Sequence, residues 1–194
     1  IITGLVGSEM CIRDRIEAAR MHCDKHCCKM IIEYGQLLST AHRVLDGTME
    51  WGQTKTGRKA KRWRLPDDRE RELYLASHIQ HPSGIWVRTS SGNYDWLYNC
   101  FVTLCAEFYK RYGKIHETAR KLTFPLQIRP QNISMSDMTE PPQCMPDDAK
   151  IVGSSLDAYR NYYIKYKHEF AKWKMGNIPS WYSDNLEKGE YALL

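Results

Sequence analysis

Apolar side chains recur at three- and four-residue intervals from Ile16 to about Leu45: Cys23, Cys27, Met30, Tyr34, Leu37 and Ala41 form one stripe, widened by Ile31 and Leu38. That period predicts a long amphipathic helix, ended by Asp46 and Gly47. Through residues 48–66 no period survives, and Gly52, Gly57 and Pro66 punctuate the chain, so a long loop or short hairpin is expected. A second helix is expected from Asp67 to about Ser77, followed by HIQHPSGIWVR as a turn with a short extended piece. The next helix runs from about Gly92 to Tyr112, with Tyr94, Leu97, Tyr98, Phe101, Leu104, Cys105, Phe108 and Tyr112 as its apolar face. Residues 123–150 hold five prolines and read as an ordered loop wrapped on the body. Ser154, with Asp157 three residues on, caps a last helix through Leu156, Tyr159, Tyr163, Tyr166 and Phe170 to about Trp173, stopped by Gly176 and Pro179. The expected fold is mainly α: a compact helical bundle with long ordered loops and little or no sheet, forming one domain over residues 16–194.

Composition narrows the class. Hydrophobic residues are 42% and charged residues 26% of the 194, enough for an ordinary core. Seven cysteines, an odd number with Cys27 and Cys28 adjacent, point to reduced thiols in a reducing compartment. No stretch nears the roughly 20 apolar residues of a membrane span. The apolar run Ile1–Val6 is short and is followed by Glu9, Arg13, Asp14 and Arg15, unlike a secretory signal. Residues 1–15, with GLVGSEMCIRDR, look like a translated sequencing-library adapter joined to a metagenomic frame, and are expected to lie outside the domain.

The net charge of +5 matters through its distribution. Lys55, Arg58, Lys59, Lys61, Arg62 and Arg64 place six cations in ten residues with no acid, flanked by Trp51 and Trp63. Cations neutralise phosphates, and an indole stacks on a base or wedges into a duplex, so DNA is the expected partner. A solvated loop is the plainer alternative. Arg160, Lys165, Lys167, Lys172 and Lys174 add a second basic strip, expected to converge with the first beside the leading helix.

On that helix His22, His26, Lys29 and Glu33 fall within about 60° of arc, a set able to move protons or hold a phosphate. A solvent-facing stripe with a Lys29–Glu33 pair explains the same spacing. His22 and His26, and His78 with His81, have metal-ligand spacing, with His116 as a further imidazole. The segment HCDKH has Cys23 where a zinc protease needs glutamate, and Cys23 and Cys27 read as buried structural thiols. Arg88, before a helix capped by Ser90, Ser91 or Asn93, would meet a phosphate at that helix start, while Trp86, Tyr94 and Trp96 serve core packing. No phosphate loop, dinucleotide fingerprint, nucleophile elbow or zinc-deaminase pattern occurs, and no cofactor is expected.

The blocks HCDKHCCKMIIEYGQLLSTAHRVLDG, KRWRLPDDRE, HPSGIWVRTSSGNYDWLY, KRYGKIH and AYRNYYIKYKHEFAKW resemble a protein family of tailed phages and marine viral metagenomes. The order of features is also similar to that of the small phage pyrimidine-dimer DNA glycosylases of the endonuclease V type. That similarity implies a helical DNA-processing enzyme of a phage-infected host cytoplasm, with glycosylase and lyase chemistry. Glu33 would be the catalytic glutamate, beside His26 and Lys29, with Arg88 and the 55–64 segment on the backbone and Trp51 or Trp63 as wedge. The block His81–Gly113 and the pair Trp181–Tyr182 also match in order. Ile32 and Gln36 stand where that family has arginines, Ile1–Arg15 offers no matching N-terminal threonine amine, and Thr48–Ile79 is extra. Two other readings stay open: a metal-dependent nucleotide or phosphoester hydrolase using His22, His26, His78, His81 or His116, and a non-catalytic nucleic-acid-binding protein.

Overall fold

The computed structural model describes residues 16–176 and 178–187. Its organising element is α1 (Asp24–Asp46), whose Cys27, Ile31, Leu38 and Ala41 are fully buried as the stripe predicts. Helix does not run unbroken from Ile16, however. Residues 16–21 are helical, the chain breaks at 22–23, and Cys23 becomes the extended N-cap of α1. The cause is Arg111, whose guanidinium takes the carbonyls of Arg20 (3.0 Å) and His22 (2.8 Å), acceptors a continuing helix would need. At the other end Gly47 closes on Arg43, so tightly that a Cβ there would lie 2.5 Å from the Arg43 carbonyl oxygen.

The expected loop or hairpin is a hairpin, β1 (Thr48–Gln53) paired antiparallel with β2 (Lys59–Arg64). Mainly α holds: this two-stranded ladder is the sheet of the described residues. The helix expected over Asp67–Ser77 shrinks to one turn, α2 (Arg69–Glu72). An arginine is again the reason: the Arg43 guanidinium collects the carbonyls of Glu70 (2.9 Å), Leu73 (3.0 Å) and Tyr74 (2.6 Å) and turns them inward. Thr40 similarly holds both the amide and the carbonyl of Ser77.

Where a turn and extended piece were expected, residues Pro82–Thr89 form a helix, α3. Proline suits the first helical turn, and the His81 ring accepts the Ser83 amide as its cap. Next, α4 (Ser91–Tyr112) follows its predicted bounds, capped by Ser90, and buries Tyr94, Leu97, Phe101, Leu104 and Phe108. It runs antiparallel to α1: Tyr94 bonds His42 near one end, and Arg111 pairs Asp24 at the other. After α5 (Glu117–Leu122) comes the proline-rich strap, ordered as expected, with 3-10 turns at Pro125–Gln127 and Asp147–Ala149. The Asp46 carboxylate grips the strap amides of Gln131 (2.9 Å) and Asn132 (3.0 Å). At Gly92 the strap comes so close that a Cβ would sit 2.3 Å from the Met138 nitrogen.

Ser154 caps α6 (Ser155–Tyr166) as predicted, but the helix stops at Tyr166 rather than near Trp173. The following segment is drawn instead onto Asp24, which accepts the Lys174 amide (2.7 Å) and gives its own amide to Lys172. A final helix, α7 (Ser180–Glu187), packs on α6. Two apolar clusters result. The main one joins α1, α4, α5 and the strap through Ile31, Leu38, Phe101, Leu104, Leu122 and Leu126. A smaller one gathers Cys23, Ala171, Trp173 and Tyr182 at the N-terminal end of α1. Among the described residues no helix is long and apolar enough to cross a membrane.

Candidate nucleic-acid interface

Residues directly opposed in an antiparallel ladder share a face, and successive residues alternate. The register pairs Met49 with Trp63, Trp51 with Lys61 and Gln53 with Lys59, so these six side chains project to one side of the hairpin. Thr48, Glu50, Gly52, Ala60, Arg62 and Arg64 take the other. The ladder does not bury its indoles fully. Trp51 is 57% and Met49 44% exposed, while Trp63 is half-buried.

The six cations separate into two groups. Arg64 is neutralised by Glu50 (2.6 Å) and Glu70 (2.8 Å), and Arg62 donates to the Gln53 carbonyl (3.1 Å). Lys59 and Lys61 instead bring their ammonium groups over the Trp51 ring, 4.6 and 5.7 Å from its centroid. Lys55 and Arg58 flank the turn, both exposed, and neither forms an ion pair among the described residues. The available cations are therefore Lys55, Arg58, Lys59 and Lys61, gathered at the tip and on the tryptophan face.

The base of the hairpin is tied to the body by charge. Arg43, its side chain 1% exposed, donates to Glu70 (2.5 Å) and to the Trp63 carbonyl (2.9 Å). Glu70 also accepts the Leu65 amide (3.0 Å), and these bonds overcome its desolvation to hold its pKa down at about 2. Beside it, Arg69 bridges Asp46 (2.5 Å), Asp67 (2.7 Å) and the His42 ring (3.0 Å). His42 Nε2 meets the Tyr94 hydroxyl (2.8 Å), which donates to the Leu126 carbonyl (2.8 Å). Arginine can only donate, so His42 Nδ1 is bare and Nε2 carries the hydrogen. Burial first, then Arg69, depress this imidazole to about 4.

The other predicted site residues are dispersed. Lys29 and Glu33 form the i,i+4 pair at 2.8 Å on an exposed ridge of α1. His22 precedes the helix rather than riding its ridge; its Nδ1 donates to the Ala18 carbonyl (2.7 Å) and its Nε2 faces the Tyr34 hydroxyl (3.3 Å). His26 shares a hydrogen bond with Tyr163, lies against Phe170, and is lowered to about 4, chiefly by burial. His81 and His116 cap α3 and α5, and His78 occupies a left-handed backbone position (φ 48°). Among the described residues no group of three or more His, Cys, Asp and Glu converges as a metal-binding set. Cys23 and Cys27 are buried, as expected, and burial pushes the Cys27 thiol up to about 12.

Arg88 does not join a phosphate site at the start of α4. The amides there are already used: Ser91 donates to Ser134 (2.8 Å) and Gly92 to Ser136 (3.0 Å) of the strap, and Asn93 to its Ser90 cap (3.1 Å). The Arg88 head folds back toward Gly84, its buried Nη1 without a hydrogen-bond partner among the described residues, and burial lowers its pKa. The second basic strip does not converge with the first either. It sits at the N-terminal end of α1, where the chain reaches Asp24, while the hairpin leaves the C-terminal end. Those ends are roughly 35 Å apart at 1.5 Å per residue over 23 residues. Much of the strip is engaged, with Arg160 on Asp157 and Trp181, Lys165 on Asp148, and Lys167 over Tyr162 and Phe170.

Sequence reasoning missed Arg43, Arg69 and Arg111, which tie the hairpin base to the body and fix the break before α1. One signal was present: Arg43 falls among Leu38, Ala41 and Leu45 on an apolar stretch, where a cation needs a dedicated partner. No family model, no curated protein and no solved structure matches the chain.

Proposed function

We propose that the protein binds nucleic acid, DNA first among candidates, through its basic hairpin. The observation that supports this is the composition of one exposed element: four exposed cations, Lys55, Arg58, Lys59 and Lys61, with no ion pair among the described residues, beside an indole left more than half in water. A structural hairpin has no use for either, since exposed cations repel one another and an exposed indole forgoes burial worth roughly 2 kcal/mol. Phosphates and bases satisfy both.

Binding is the reading favoured over catalysis. Under the glycosylase reading Glu33 would work beside the DNA-holding segment. It lies 13 residues before Asp46, roughly 20 Å along α1 from the hairpin base, and its carboxylate is occupied by Lys29.

Fluorescence anisotropy with labelled oligonucleotides in dilute buffer tests the proposal. The full chain should bind, and joint replacement of Lys55, Arg58, Lys59 and Lys61 by Gln should weaken binding by at least about tenfold at moderate salt. An unmodified chain that leaves the probe free at low ionic strength refutes it. In the same samples, borohydride trapping of a covalent adduct on damaged duplex, abolished in Glu33→Gln, would restore the glycosylase reading.

A further inference from the structure

The hairpin offers two unlike faces, and the difference bears on which form of nucleic acid it takes. One carries Met49, Trp51, Gln53, Lys59, Lys61 and Trp63; the other carries Glu50 locked to Arg64, and Arg62 turned onto the chain's own Gln53 carbonyl. A ribbon laid into the groove of a duplex has phosphates along both walls. Here one side would meet lysines, while the other would meet a carboxylate and arginines already engaged. A single strand makes a one-sided demand: phosphates along a row of cations, bases against an aromatic surface.

Trp51 is suited to the second demand. It is 57% exposed, with Met49 beside it at 44%, and both ammonium groups over its ring are on flexible stems that can swing to a phosphate. Stacking one base on an aromatic side chain tightens binding by roughly 5- to 150-fold. Withdrawing a paired base from a duplex costs a factor of similar order, so a duplex forfeits what a single strand keeps. Gln53 is the one amide on this face able to read a base edge, and every base has a stacking surface. The selectivity that follows is for strandedness, not for sequence.

We propose that the Met49–Trp51–Lys59–Lys61 face is a stacking platform for unpaired bases, so that single-stranded nucleic acid is the preferred ligand. This rests on the hairpin being the binding element, as proposed above. DNA and RNA single strands share the required chemistry, so both serve as probes.

The test is anisotropy of the full chain with an oligothymidylate, the matching oligouridylate and a blunt duplex of equal length, each across a salt series. Single strands should bind at least about tenfold tighter than the duplex. With four cations neutralising phosphates, the plot of log affinity against log salt should slope about −2.8 for single strands. Trp51→Ala should cost single-strand affinity roughly 5- to 150-fold, and Trp51→Phe should recover most of it. Equal or tighter duplex binding, or a Trp51→Ala variant with undiminished single-strand affinity, overturns the platform and leaves the hairpin reading in place. If no probe binds at low salt, the nucleic-acid reading itself falls. Circular dichroism of each variant establishes that the fold is kept.

Discussion

Arg43 takes a full charge into a position where its side chain is 1% exposed, and five hydrogen bonds to Glu70 and to the carbonyls of Trp63, Glu70, Leu73 and Tyr74 satisfy it. Removing the guanidinium leaves these inward-turned carbonyls without their donor, while Glu70, its side chain 26% exposed, keeps Arg64; unsatisfied buried acceptors of this kind cost at least about 1–3 kcal/mol. Arg43→Ala should lose that much in urea unfolding, and Arg43→Lys should recover little, because a point-like ammonium cannot reach four carbonyls and a carboxylate at once. A loss below about 1 kcal/mol would mean that water replaces the guanidinium. His42 gives a pH signature. Its folded pKa of about 4 lies below the ordinary 6.5, so the unfolded chain binds the proton more readily. Stability is therefore full above 6.5 and drains as pH falls toward 4, by at most roughly 3 kcal/mol. His26, lowered to about 4 as well, acts in the same window. Thermal midpoints measured from pH 7 to 4 should fall, and His42→Gln, which can still donate to Tyr94 and accept from Arg69, should flatten the decline.

An isolated two-stranded hairpin is marginal in water, so β1 and β2 depend on what holds their base. Glu70 links Arg43, Arg64 and the Leu65 amide, and among the described residues no other carboxylate touches all three. Glu70→Gln should speed amide hydrogen exchange through residues 48–64 and leave α4 protected; uniform exchange across both would place the hairpin's support elsewhere. The elements also show what was legible from residues alone. The bounds of α4 and the Ser154 cap of α6 were readable because long apolar periods and short-range capping are local. The shortening of α2, the break before α1 and the early end of α6 were not, since each follows from a distant side chain claiming backbone groups: Arg43, Arg111 and Asp24. Helix α3 was hidden by brevity, eight residues whose Ile, Trp and Val suggest strand until Pro82 and the His81 cap are seen together.

Across the whole molecule, charge is divided between the two ends of α1. The basic residues of the hairpin and of the 160–174 region read as one surface only while α1 is ignored. Its length keeps them apart, and their pairing differs: the C-terminal strip spends Arg160, Lys165 and Lys167 on acids and aromatic rings, whereas the hairpin tip leaves Lys55 and Arg58 exposed. This permits a control for general electrostatic attraction, which depends on net charge and is screened within about 8 Å at physiological salt. Lys55→Gln with Arg58→Gln, and Lys172→Gln with Lys174→Gln, lower the net charge equally, and all four residues are exposed. If the hairpin makes the phosphate contacts, the first pair should flatten the salt slope by about 1.4 on a single strand. The second pair should leave that slope unchanged, with affinity moving less than about twofold once salt screens the long-range field. Equal losses from the two pairs would mean that the chain attracts polyanions by its overall field, with no defined contact element, and the hairpin would then be one basic loop among several.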